Sequence, residues 1–213
     1  AGLVIKNLTL EGTMTGVNHS AAFIGRANGA ATIDNCVNKV NVSGTHTLGG
    51  FVGITSSAVV ISNCKNYGNI TATSATATDS YTGAFIGREN TSASSVTNSA
   101  NYGDITGLTG VASGILYSGK VTNSYNAGTV SNVGGEAAPI AHWAKDGVTN
   151  SYYIADKISG NTVLQTYGTA KPASAFSSGE VTYLLNGSTA ENATWGQELG
   201  VDEYPVFGKI DYP

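Results

Sequence analysis

A short tetrad, aliphatic-x-Asn-x, recurs six times along this 213-residue chain. It reads Ile5-Lys6-Asn7-Leu8, Ile33-Asp34-Asn35-Cys36, Ile61-Ser62-Asn63-Cys64, Val96-Thr97-Asn98-Ser99, Val121-Thr122-Asn123-Ser124 and Val148-Thr149-Asn150-Ser151. Its asparagines are spaced by 28, 28, 35, 25 and 27 residues. Seven residues after each Asn comes an apolar residue: Met14, Val42, Ile70, Ile105 and Val130, slipping by one to Ile158 in the last copy. The first five copies add a third apolar segment: Ala22-Phe23-Ile24-Gly25, Gly50-Phe51-Val52-Gly53, Ala84-Phe85-Ile86-Gly87, Gly114-Ile115-Leu116 and Pro139-Ile140-Ala141. A period of this length marks a repeat architecture, in which each unit buries its apolar side only against its neighbours.

Each unit holds three short β-branched or aromatic runs, broken every few residues by Gly, Asn, Ser or Thr. None is long enough for a helix. Stacking such units at the strand spacing of about 4.8 Å buries their apolar sides along one axis. The expected fold is therefore all-β: a parallel β-helix of about six three-stranded coils. Left-handed hexapeptide helices need a near-constant coil length, which the spread of spacings contradicts, so the expected hand is right. Composition agrees with an ordered solenoid. Charged residues make up only 11%, while the hydrophobic fraction of 41% is too high for disorder. Asn tolerates left-handed backbone and bonds nearby backbone groups at turns. The repeated asparagines, and a second set at Asn38, Asn66, Asn101 and Asn126, thus read as structural corner ladders rather than sugar or metal ligands. Cys36 and Cys64 share one repeat position, where later copies carry Ser99, Ser124 and Ser151. Directly stacked parallel residues aim their Cβ bonds alike, which disfavours a disulfide, so both read as free, buried thiols.

The repeats occupy 1–160. Beyond them, 161–213 read as a C-terminal cap over the last coil, whose strand edge and core need cover. Ser177-Ser178-Gly179-Glu180 has the form of a capping box with Phe176 and Val181 as its staple. One short helix through Val181, Leu184 and Leu185 would follow, ended by Asn186-Gly187. The other end begins partway through a repeat at Leu3-Val4-Ile5, which suggests a piece of a longer protein whose preceding coils pair with the first.

Gly49-Gly50-Phe51-Val52-Gly53, with Asn63-Cys64 and Asn123-Ser124-Tyr125 around it, resembles the GLUG repeat, named for a Gly-Leu-aliphatic-Gly signature. The resemblance covers residues 3–160. The tail, through Ser178-Gly179-Glu180-Val181 and Trp195-Gly196-Gln197, resembles the closing segment of such arrays in surface proteins of anaerobic Gram-positive bacteria. GLUG repeats occur in large extracellular bacterial proteins, among them adhesins and non-catalytic regions of immunoglobulin A peptidases. The resemblance implies an extracellular or cell-surface, non-enzymatic module that presents neighbouring domains and touches glycan or host extracellular protein. The fourth and fifth copies depart from the signature. They lose its final Gly, reading Gly114-Ile115-Leu116-Tyr117 and Pro139-Ile140-Ala141-His142.

The residues carry little chemistry of their own. A net charge of −4 argues against a nucleic-acid partner, and no apolar run approaches the roughly 18 residues of a membrane span. His19, His46 and His142 sit in no catalytic or metal motif, so neither cofactor nor metal is expected, although His19 and His46 occupy similar places in adjacent coils. The rival reading is a fragment of a carbohydrate-active β-helix enzyme, a lyase or glycoside hydrolase, which needs a cationic cluster or paired carboxylates. Arg26 and Arg88 each follow Phe-Ile-Gly on one face, with Ile54 between them. His142, Trp143, Lys145 and Asp146 form the one dense polar-aromatic run, a platform on which a sugar ring could stack. The third copy is seven residues longer, placing Thr71–Tyr81 in an excursion.

Replacing Ile61 or Ile70 with Asp puts an unpaired charge into a continuous apolar column. The expected outcome is unfolding or aggregation, whereas Thr73 or Thr76, in the excursion, should tolerate Ala within about 0.5 kcal/mol. Thermal melting decides, and equal melting of both classes would place the Ile column outside the core.

Overall fold

The computed structural model describes residues 2–77, 80–91, 93–144, 147–189, 191 and 193–208. Its strands stack in parallel into three continuous sheets around one apolar interior. The first sheet is the tetrad itself: Leu3–Lys6, Ala31–Asp34, Val59–Ser62, Ser95–Thr97, Lys120–Thr122 and Val148–Thr149, six rungs for six coils. The third sheet holds Ile24–Ala27, Val52–Thr55, Ile86–Glu89, Leu116–Ser118 and Ala141–Trp143. The second sheet is longer-pathed than three strands per coil would give. It runs as one strand in Thr9–Gly16 and Val37–Gly44, but later coils divide it into shorter pieces such as Ala100–Asn101, Ile105–Gly107 and Val111–Ser113. Ile61 and Ile70 are fully buried and Thr73 and Thr76 exposed.

The repeated Asn makes the corner between the first and second sheets. Asn7, Asn35, Asn63, Asn98, Asn123 and Asn150 all take left-handed backbone, with φ between 44 and 56°. This turn reverses the sense of the backbone donors. Before it, N–H groups reach forward to the next coil, as Asn35 N–H does to Ser62 O and Asn98 N–H to Thr122 O. After it they reach back, as Val37 N–H does to Leu8 O and Tyr125 N–H to Ser99 O. The residue between the two regimes points its N–H forward where no carbonyl stands opposite. A side chain of the next coil fills the gap. Cys36 N–H donates to Cys64 Sγ, Cys64 N–H to Ser99 Oγ, Ser99 N–H to Ser124 Oγ, and Ser124 N–H to Ser151 Oγ, over 3.1 to 3.4 Å. Each of these side chains donates in turn to the carbonyl two residues earlier in its own coil. Both cysteines are free and buried, and burial pushes the Cys64 thiol up to about 12.

A second ladder runs inside. Asn38, Asn66, Asn101 and Asn126 are fully buried, and each of the first three donates Nδ2–H to the next coil's Oδ1 at 2.7 Å. Each also bonds the carbonyl two residues ahead. Leu10 replaces Asn in the first coil's register and Tyr153 in the sixth, so apolar residues close both ends of the polar column. Beside it Phe23, Phe51 and Phe85 stack at 4.8 and 5.0 Å.

Parallel pairing continues past residue 160: Ile158–Val163 pairs with Val130–Ala138, and Thr169–Lys171 with Tyr152–Ile154. Two short helices follow instead of the one expected, α1 (Ala173–Ser177) and α2 (Glu180–Leu185). No capping box forms. Ser178 instead closes α1, its hydroxyl donating to Ala175 O, and Gly179 turns the corner at φ +86° before Glu180 pairs with Lys171. α2 carries Val181, Leu184 and Leu185 and ends at Asn186, while α1 is an additional turn that begins after Pro172. Phe176, Val181, Leu185 and Trp195 then pack on Tyr125, Tyr152 and Ile154, outside the second sheet. Trp195 Nε1–H donates to Asn123 O, Tyr125 donates its hydroxyl to Pro205 O, and Lys65 lies over Phe207. The tail thus runs back along the flank of coils three to six.

The corner ladder predicts a contrast at Cys64. Cys64→Ser reproduces the partner that Ser99 provides to Cys64 and should change unfolding free energy by about 1 kcal/mol or less. Cys64→Ala strands the buried Cys36 N–H and should cost about 1–3 kcal/mol. Denaturant titration of the two variants measures the difference, and equal costs would remove the ladder from the stability account.

Candidate binding surface

The third sheet sets the outer face. Its register pairs Ile24 with Val52, Val52 with Ile86, Ile86 with Leu116 and Leu116 with Ala141. The residues one step on form a file: Gly25, Gly53, Gly87, Tyr117, His142. In the first three coils this file must be glycine, since a Cβ would lie 2.7 Å from His19 O, 2.6 Å from Gly25 O and 2.3 Å from Leu48 O. The fourth and fifth coils open enough for large rings. Tyr117 and His142 stack at 5.1 Å, within 9° of parallel.

Further groups join this pair across the coils. Tyr81 meets Tyr117 edge-on at 4.8 Å, and the Arg88 guanidinium lies 4.7 Å over the Tyr81 ring. Glu136, in register with Val111 and through it with Tyr81, receives His142 Nε2 at 2.7 Å. The result is a continuous surface row, Arg88–Tyr81–Tyr117–His142–Glu136, over coils three to five. Next to it Trp143 is 58% exposed. Arg88, Glu89, Asn90, Tyr117, Ser118 and Trp143 line a shallow depression of about 250 Å³.

Of the residues singled out in the sequence, Arg88, His142 and Trp143 come together here. Arg26 stands in the same register file as Arg88, with Ile54 between them, but lies two coils away, where its Nε bonds Asn28. Lys145 and Asp146 lie outside the described residues. His19 and His46 do lie in adjacent coils, yet among the described residues no group of three metal-type ligands forms. Sequence reasoning missed Tyr81, Tyr117, Glu89 and Glu136. The signal for Tyr117 was present, because it occupies the signature glycine's place. Glu89 likewise stands where the first two coils carry Ala27 and Thr55.

His19 takes left-handed backbone, φ 50°, and its ring pKa is lowered from 6.5 by burial first, then by the charges of Arg26, Arg88 and His46. The unfolded chain therefore holds that proton at a pH where the folded one has released it. Stability from this source is full above about pH 6.5 and declines as pH falls below it. His19→Asn keeps a residue that tolerates the backbone and should flatten this decline. Denaturant midpoints at about pH 7.5 and about pH 5.5 test it, and an unchanged pH slope would remove His19 from the linkage.

No known family profile matches the chain, and no curated protein does. Among solved structures it is similar to the crystal structure of "a putative immunoglobulin A1 protease from Bacteroides ovatus", with TM-score 0.60 and 17% identity over 96% of this chain and 74% of that one. Likeness at that identity speaks for the fold: this chain is a parallel β-solenoid of about six turns.

Proposed function

We propose that the chain is a non-enzymatic structural and adhesive module of a secreted bacterial surface protein. It would present neighbouring domains and touch glycan or host extracellular protein through the outer face of coils three to five. Its kinship with GLUG repeats, carried by the residues quoted above, belongs to the same proposal. The observation that carries the reading is exposed Trp143 beside the half-buried aromatic row Tyr81–Tyr117–His142, one aromatic patch on the outer side of the third sheet. Aromatic faces on such a frame give contact area at small entropic cost. Two bordering carboxylates also support a scaffold role. Glu136 is paired with His142, and Glu89 Oε1 accepts from Thr91 Oγ1, Ala93 N–H and Ser94 N–H. A glycosidase would instead keep two carboxyl groups about 5–9 Å apart to exchange protons with substrate.

The test is retention of glycan-coated and matrix-protein-coated beads by the immobilised chain, with product analysis of the supernatant. Retention without cleavage is expected, and Trp143→Ala should weaken it about tenfold, equivalent to about 1.4 kcal/mol. Release of new reducing ends or peptide fragments would favour the enzyme reading instead.

A further inference from the structure

The tail crosses the flank of the second sheet and stops short of covering it. One residue past the interior asparagines, the outer file of that sheet reads Lys39, Tyr67, Tyr102, Ala127. Tyr102 lies against the tail, its hydroxyl meeting that of Tyr125, which donates to Pro205 O. Tyr67 stacks on Tyr102 at 4.6 Å, within 5° of parallel, but remains 45% exposed. Where the tail passes these two rings it leaves a cavity of about 410 Å³, in the size range of ligand pockets. Tyr204, edge-on to Tyr102, completes the apolar wall with Val201 and Val206. Val201 is 69% exposed, and exposed Leu199 stands on the same turn, which Val201 N–H and Asp202 N–H close on Glu198 O. Exposed apolar side chains gathered at one cavity mark an interaction site in a way that scattered ones do not.

Two carboxylates, Asp202 and Glu203, also line the cavity, and among the described residues that line it none is basic. The two are not equivalent. Asp202 Oδ2 accepts Glu198 N–H within the turn, and its charge acts on Lys65, whose ammonium lies over the Phe207 ring. Glu203 is exposed and accepts only the Tyr204 hydroxyl on Oε1, which leaves acceptor capacity at the rim. Lys39 stands in the file on the side of Tyr67 away from Tyr102. We propose that this cavity is the anchor pocket for an arginine side chain of a protein partner: its aliphatic stem lies between the tyrosines and the valines, and its guanidinium pairs with Glu203. Arginine uses both halves of the site, because its stem packs on apolar surface while its head stays at the wet rim. A leucine or phenylalanine anchor would set apolar surface against the carboxylates and desolvate them without a partner. The guanidinium is also less strongly hydrated than a lysine ammonium and offers one carboxylate two parallel N–H donors. Arginine is enriched among the few residues that carry the binding energy of an interface. This inference rests on the adhesive reading only in taking an extracellular protein as the partner, and it puts the contact on the second sheet, whereas Trp143 lies on the third.

The test follows the Val201 and Val206 methyl signals by NMR during titration with N-acetyl-arginine amide. The corresponding lysine, leucine and citrulline amides are the comparison probes, citrulline keeping the shape of arginine without its charge. Val133, 77% exposed and outside the cavity lining, is the internal reference. A saturable shift of both valines with the arginine amide is expected, with Val133 unmoved and the other three amides at least about tenfold weaker. Glu203→Gln keeps an acceptor for the Tyr204 hydroxyl and should weaken the arginine amide about tenfold at an unchanged melting temperature. Should that variant disturb the tail, Val201→Lys sets a competing cation at the cavity mouth from an exposed position and should abolish the Val206 shift. Absence of a saturable shift, an equal response to any other amide, or full binding by either folded variant overturns the pocket. Bead retention without an arginine shift would sink the pocket and leave the adhesive module standing. An arginine shift without retention would do the reverse.

Discussion

Everything in this solenoid depends on one reversal of hydrogen-bond direction at a left-handed asparagine. A parallel coil can turn a corner only if its N–H groups find carbonyls on both sides of the turn. The Asn conformation switches them from the next coil to the previous one and leaves a single donor without a carbonyl. From the second coil on, the residue after Asn must therefore be small, buried and able both to accept and to donate, whereas exposed Leu8 holds the place in the first. Ser and Cys meet those requirements, which is why sulfur fills this position in coils two and three and oxygen in coils four to six, without any disulfide. The same logic explains why the asparagine's own outer amide ladder is incomplete. Asn35 bonds Asn7 and Asn150 bonds Asn123, but Asn63 turns instead to Asp34. The backbone conformation is the requirement, and the corner amides pair with one another only in part.

The interior asparagines obey a stricter rule. Asn66 and Asn101 each have one neighbour above and one below, with their amide hydrogens shared between the next rung and a local carbonyl. In a dry column an unfilled rung is costly, so the series is filled completely or ended with an apolar residue. Leu10 and Tyr153 end it. Similar closure occurs on the flank, where Tyr125 and Tyr152 turn outward beneath the helices and Trp195. The tail stabilises the coils by covering side chains of several rungs at once, so that its short helices, unstable alone, are held by packing.

Much of this was legible in the sequence because the solenoid repeats its physics. The tetrad located the first sheet, Ile61 and Ile70 the buried columns of the first and second sheets, and Cys36 and Cys64 their serine-like niche. What was not legible came from places where repetition stops. An extra helix begins after Pro172, so Ser178 ends that helix and Gly179 stands at the N-cap of the next, in place of the expected Ser capping box. Tyr81 joins Tyr117 only through the register of a coil seven residues longer than the first two, and Glu136 reaches His142 through a strand that merges two segments of the usual coil. Spacing along the chain does not give such distances, because excursions change residue number without changing height on the stack.

Those same interruptions locate the surface best placed to act. A position fixed by the fold repeats its residue, and a position free of it can vary without harm. The glycine file is fixed in coils one to three by backbone approach and released in coils four and five. Tyr117 and His142 use that release to stack within 9° of parallel beside an exposed indole. Glu89 follows the same rule. Thr55 shows that a hydroxyl suffices at that register position for a short turn, and Oε1 alone suffices for the longer one. The corner position thus keeps one acceptor while its turn changes length, and the side chain lengthens to match, so loop length varies on this face without disturbing the stack.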